Sequence, residues 1–299
     1  LSKKKSESTA NAKPAMFFCN AGITNTGLVR EHNEDAFRLP EQVDAPTLAA
    51  KGHLYILADG MGGHQKGEVA SAVTIETVST AYYEIVKPLL KQKTPEEAII
   101  AALAQAIQKA NNDVLDETEG GGTTVVAAVL FADNLVTMNV GDSRAYLLRN
   151  NELFMLSRDH SLVSRLVEMG KISEEEAISH PRRNVLYQAL GQGADVDIHV
   201  YSEKLQLHDT ILLCSDGLWG EVSEPELKEI LSTASALSVA AENLVDLANA
   251  SGGADNITAI LVQVVDQPPP ASDPDDTNPS LKKVAPAKPI TLPEGKYHT

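Results

Sequence analysis

The stretch LYILADGMGGHQKGE, residues 54–68, sets an apolar run from Leu54 to Ala58 directly against Asp59, and Gly60, Gly62 and Gly63 follow within four positions. Two chemistries use such a pattern. A glycine-rich loop turns backbone N–H groups toward a phosphate, whereas a carboxylate at the end of a buried strand can be held out to a metal ion. The phosphate-loop templates fail letter by letter. A dinucleotide loop opening at Gly60 needs glycine at its sixth position, where Gln65 stands, and a P-loop lysine must precede Ser or Thr, whereas Lys66 precedes Gly67. GDSRA at 141–145 departs from a nucleophile elbow at Ala145, and Gly220 occupies the place of the arginine that a cysteine phosphatase loop on Cys214 requires. No His-Glu-x-x-His zinc helix occurs.

The carboxylate pattern recurs. LVTMNVG leads into Asp142, TILLCS into Asp216-Gly217, and Asp255-Asn256 immediately precedes ITAILV. Any one of these aspartates has an ordinary explanation, because Asp-Gly is a favoured turn dipeptide. Four on strands of one sandwich point to a shared site. Carboxylates set side by side repel one another unless a cation lies between them, and all-oxygen donors suit Mg²⁺ or Mn²⁺ rather than zinc. Upstream, VREHNEDAF at 29–37 places Arg30 four residues before Glu34 and Asp35. This is either a polar loop with a local ion pair, or a guanidinium fork for phosphate oxygens with two acids that order water on the metals.

Elements able to position these residues are legible nearby. Thr94–Glu97 (TPEE) is a capping box that opens a helix to about Leu115, and the spacing of Val69, Val73, Tyr82, Ile85 and Val86 predicts another over 68–86. SEEE at Ser173 and SEPE at Ser223 are further caps, and a last helix is predicted over 238–250. Strands are predicted at 54–58, 123–132, 135–140, 144–149, 196–202, 210–215 and 257–265. Most strand-to-strand connections are too short for crossover helices, which implies antiparallel sheets with helices packed outside them.

The 299 residues are 43 % hydrophobic and 22 % charged, the balance of a globular protein, and the net charge of −16 argues against nucleic-acid and anionic-membrane partners. Two cysteines, Cys19 and Cys214, are too few for a disulfide framework and point to a reducing, cytoplasmic setting. The start, LSKKK followed by polar residues, lacks the apolar core of a signal peptide, and no run is long enough to span a membrane. A flexible lead-in is expected over 1–14, a single domain over 15–266, and a proline-rich disordered tail over 267–299.

Seven segments in order, NEDAF, ADGMGGHQKGE, GGTTVVAAVL, VGDSRAYLLR, RDHSLV, LLCSDGLWGEV and DNITAILV, resemble the metal-dependent serine/threonine protein phosphatases of the protein phosphatase 2C (PPM) family in their bacterial form. The resemblance spans about residues 20–265. It implies an α+β fold, a four-layer αββα sandwich of two mainly antiparallel sheets flanked by helices, with a flap over about 161–191. It also implies two Mn²⁺ or Mg²⁺ ions per site. Asp59 would bridge them, the Gly60 carbonyl would bind one, Asp216 and Asp255 the other, and Asp142 with Asp216 a third, weaker ion. Arg30 would bind phosphate, Glu34 and Asp35 would order metal-held water, and that water would attack the phosphoserine or phosphothreonine directly.

The implied substrates are phosphorylated proteins, targets of a serine/threonine kinase in a signalling role, and a monomer is expected. Met61 stands where animal relatives carry the histidine that follows Asp-Gly, so no side-chain general acid is assigned; His64 is a less favoured substitute. His160 is expected to hydrogen-bond at the flap entrance, and Trp219 to pack beneath the Asp216 loop. The alternative is a pseudophosphatase that binds phosphopeptides as a scaffold; it would be expected to lack one of Asp59, Asp216 and Asp255, and all three are present.

Overall fold

The computed structural model describes residues 16–40, 45–62 and 65–268. The lead-in over 1–14, His64 and, from 269 onward, the proline-rich tail lie outside the described residues.

Two antiparallel sheets lie face to face. The first has the order β1-β11-β10-β7-β8, built from β1 (Phe17–Asn25), β7 (Arg144–Arg149), β8 (Glu152–Met155), β10 (Thr210–Cys214) and β11 (Ile257–Val265). The second has the order β2-β3-β5-β6-β9, from β2 (Asp35–Arg38), β3 (His53–Met61), β5 (Val125–Phe131), β6 (Asn134–Val140) and β9 (His199–Lys204), with the short β4 (Gly122–Thr123) beside the end of β3. Of the long helices, α2 (Gln65–Leu89) and α3 (Pro95–Thr118) cover the second sheet, while α7 (Glu224–Thr233) and α8 (Leu237–Ser251) cover the first.

Three apolar layers hold this stack together. Between the sheets, Tyr55, Leu57, Val126 and Leu130 meet Ala145, Leu147, Ile211, Ile260 and Val262. The opposite faces of β3 and β5, with Ile56, Ala127 and Val129, pack on Tyr82, Leu103 and Ile107 of α2 and α3. Leu212, Cys214 and Leu261 pack on Leu244 and Val245 of α8. Strands buried on both faces explain why their sequences run apolar without alternation. The fold is the αββα sandwich expected.

Local signals match the helix starts. The Glu97 N–H donates to Thr94 Oγ1 at 3.3 Å while Glu97 Oε2 accepts from the Thr94 N–H at 3.1 Å, and Ser173 and Glu176 repeat the exchange at the head of α5 (Glu174–Ile178). The 196–202 strand is displaced to His199–Lys204, because Val196 and Ile198 pack on the α2/α3 layer before pairing with β6 begins at His199. β1, β2, β8, α1 (Ala45–Lys51) and α4 (Leu162–Glu168) have no counterpart in the sequence pattern.

Candidate active site

One end of the sandwich gathers the sequence candidates. Asp59 is on β3, Asp142 two residues beyond the end of β6, Asp216 at the first position of α6 (Asp216–Trp219) directly after β10, and Asp255 two residues before β11. Two come from each sheet, so the site lies at the seam between the layers. With Arg30, Glu34 and Gly60 they line a cavity of about 520 Å³, closed on another side by Asn184, Leu186, Tyr187 and Gln188.

Asp59 is fixed by its backbone. Its N–H donates to Thr124 Oγ1 (3.0 Å), and its carbonyl accepts from Thr123 Oγ1 and the Thr124 N–H, both at 2.8 Å. Although Asp-Gly is a favoured turn dipeptide, the chain does not turn at Asp59-Gly60: β3 continues through Met61, and a positive φ, +134°, appears only at Gly62. Glycine is required at 60 because α2 passes against the strand there. A Cβ on Gly60 would collide with the Gly67 carbonyl and come within 2.7 Å of the Glu34 carbonyl. Gly217 answers the same need, since a Cβ there would strike the Asn256 carbonyl.

Asp35 faces Asp59 across the β2–β3 pair. It is buried, and its Oδ2 accepts from Ser215 Oγ (2.8 Å) and Thr258 Oγ1 (2.6 Å) of the other sheet. Its Oδ1 is buried without a hydrogen-bond partner. Arg30 Nη2 donates to Asp255 Oδ2 at 2.6 Å. Asn256 organises the loop that carries Arg30 and Glu34. Its Nδ2 donates to the Thr26 and His32 carbonyls at 2.9 Å each, and its Oδ1 accepts from the Glu34 N–H at 2.8 Å.

Asn256, Ser215 and Thr258 were not singled out from sequence. The available signal was a polar residue within or beside an apolar strand, in LLCSDG and DNITAIL. Trp219 Nε1 donates to the Asp142 carbonyl (2.9 Å), and its ring stacks under the Arg144 guanidinium, which forks onto Asp159. His160 is buried, and its Nδ1 accepts from the Gly141 N–H at 3.3 Å. The 161–191 segment contains α4 and α5, bridges back to Ser161 at Leu186 and to Thr123 at Leu190, and presents Tyr187 to the cavity.

Electrostatically the site is loaded. Burial, then the Asp35, Asp216, Asp142 and Asp255 charges, push the Asp59 carboxyl well above the usual range. Burial followed by Asp216 raises Asp142. Burial raises Asp35 to about 7 against two hydroxyl donors that favour its ionised form, and burial with Asp255 raises Asp216 to about 6. Glu34 is raised by desolvation first.

A raised carboxyl in the folded state stabilises the fold below the unfolded pKa and loses that contribution as pH climbs through the folded one. The metal-free protein is therefore expected to lose melting temperature as pH rises from about 4 to about 7, through the Asp216 and Asp35 transitions. Thermal melts with and without Mn²⁺ check this, since a bound cation reverses the penalty. A metal-free melting temperature that rises steadily across that window contradicts it.

The donor chemistry fits divalent cations: oxygen atoms only, several carboxylates under mutual repulsion, and an orphaned buried oxygen on Asp35. Among the described residues, no three His, Cys, Asp or Glu side chains close into a finished ligand cluster. Asp255 is drawn toward Arg30, which holds its Oδ2 at 2.6 Å.

Comparison with known proteins decides the family. The sequence pattern described as Protein phosphatase 2C matches residues 30–250. The chain belongs to the protein phosphatase 2C family. As a member it is a phosphoprotein phosphatase, a hydrolase. The serine/threonine phosphatase stp of Listeria monocytogenes serotype 4b is 42 % identical over 246 residues, covering 80 % of this chain and 93 % of the relative. Among solved structures, the S. agalactiae serine/threonine phosphatase superposes with a TM-score of 0.74 at 33 % identity, covering 83 % of this chain and 99 % of that one. The catalytic domain of the phosphatase PstP, in complex with two manganese ions, gives a TM-score of 0.69 at 32 % identity, covering 84 % and 99 %.

Proposed function

We propose that this protein phosphatase 2C member hydrolyses phosphoserine and phosphothreonine in proteins with a pair of Mn²⁺ or Mg²⁺ ions, by direct attack of water and without a covalent enzyme intermediate. The observation that carries the reading is the meeting of Asp59, Asp216, Asp255 and Arg30 around one cavity. Asp59, the Gly60 carbonyl, Asp216 and Asp255 would hold the two ions, and Asp142 with Asp216 would hold a third. The chemistry that such a pair supplies when bound is acidification of a shared water and neutralisation of phosphoryl charge.

This chain's own residues do the rest. Arg30, forked and about half exposed at the cavity, binds two oxygens of the phosphate and neutralises charge as it builds. Binding substrate requires it to exchange Asp255 for phosphate, which returns Asp255 to the cluster. Asp35 and Glu34 accept hydrogen bonds from ordered water, Asp35 with the oxygen that has no protein donor. Met61 lines the cavity and cannot give a proton, so no side chain is assigned as the acid for the Ser or Thr alkoxide.

We place the catalytic domain at 15–266 and its substrates among serine/threonine kinase targets, in a cytoplasmic signalling role as a monomer. Among the described residues no helix is long and apolar enough to cross a membrane. The scaffold alternative has no observation in its favour. Hydrolysis of a phosphothreonine peptide in Mn²⁺, with and without chelator, tests the proposal. Activity is expected to vanish on complete chelation and to return with Mn²⁺; persistence without metal would sink it.

A further inference from the structure

Two of the most exposed apolar side chains among the described residues stand next to each other beside the cavity. Leu28 is 69 % exposed and Val29 is 68 % exposed, and they directly precede Arg30. Single exposed apolar residues are normal on a protein surface and need no explanation. This pair differs because its backbone is held in place. Gly27 takes φ +78° and packs so closely that a Cβ would strike the Asp255 carbonyl, and its N–H donates to Asn25 Oδ1 at 2.8 Å. The Leu28 N–H donates to the Gly253 carbonyl at 2.8 Å, tying the tip to the segment that carries Asp255. Arg30, the next residue after Val29, lines the cavity, as does Tyr187, which is 47 % exposed.

We infer that Leu28 and Val29 form an apolar platform on which an apolar residue flanking the phosphoserine or phosphothreonine of the substrate rests, so that they set sequence preference around the phosphosite. The inference rests on the phosphatase reading above. A substrate residue next to the phosphorylated one lies about 3.5 Å further along an extended chain. A peptide whose phosphate is held by Arg30 therefore passes within one or two residues of the loop tip. An acidic or basic neighbour finds no charged partner on these two side chains, while an apolar one removes surface from water on both partners.

The test uses the full chain in Mn²⁺ with p-nitrophenyl phosphate, which has no flanking residue, and with phosphothreonine peptides differing only in Leu or Gly on either side of the phosphothreonine. The wild type is expected to favour the Leu-flanked peptides by about tenfold in kcat/KM, and the L28S/V29S variant to lose that preference, with the change in KM. Turnover of the aryl phosphate is expected to stay within about twofold, since no flanking contact is lost there. A wild type with no preference, or a variant that keeps it, overturns the inference. A wild type that lacks Mn²⁺-dependent aryl phosphate hydrolysis overturns the phosphatase reading and this inference with it.

Discussion

Asp216→Ala is expected to cut phosphothreonine-peptide hydrolysis by about 10³-fold in Mn²⁺, the scale on which one electrostatic stabiliser of a transition state is lost. Asp216 opens α6 with one residue between it and β10, and its carboxyl acts on that of Asp59 across the cavity. Removing it relieves repulsion on Asp59, Asp142 and Asp35, all raised in part by its charge. The metal-free variant at neutral pH should therefore melt at or above the wild-type temperature, yet gain less from added Mn²⁺. Lost turnover in a protein that still folds separates loss of the site from loss of structure. Turnover near the wild-type value would remove Asp216 from the reaction.

Asn256→Ala should have the largest effect on stability, a loss of about 3 kcal/mol, since it strips partners from one N–H and two carbonyls in a loop with few others. Those groups belong to Thr26, His32 and Glu34, on either side of Arg30. The variant should also show a raised KM for phosphopeptides, because the guanidinium no longer approaches from a fixed loop. Urea denaturation measures the first effect and steady-state kinetics the second. A stability change under about 1 kcal/mol would show that water replaces the side chain without cost.

The fold could be read from sequence where elements carry their own signals. Thr94, Ser173 and Ser223 announce helices through side chains that bond their own backbone, and β7 and β11 fall on their predicted residues because a continuous apolar run has a clear start and stop. β1 was not legible, because as an edge strand it is half-buried along nearly its whole length and mixes Asn and Thr with Phe and Ile. β8, also at an edge, is mostly exposed. The aspartates stood out because a charge closing an apolar strand is unusual at any one place and more so at four. What holds them did not stand out. Ser215, Thr258 and Asn256 act on residues 180 or more positions away or on loops with no pattern of their own. The glycine after Asp59 was recognisable, but its reason was not: it yields to a helix passing behind the strand, a fact of tertiary approach.

β11 is flanked by β1 and β10, and Phe17 pairs with Val265. The first strand described therefore has no partner in its sheet until the last one is made. A ribosome emitting this chain releases some 240 residues before β1 can dock, and Asp255 emerges only just ahead of the strand that seats it. Contacts so distant in sequence close late and slowly. The complete site is then a property of the finished domain only: a nascent chain stalled short of Asp255 carries three of the four aspartates and lacks β11, the one strand on which β1 pairs.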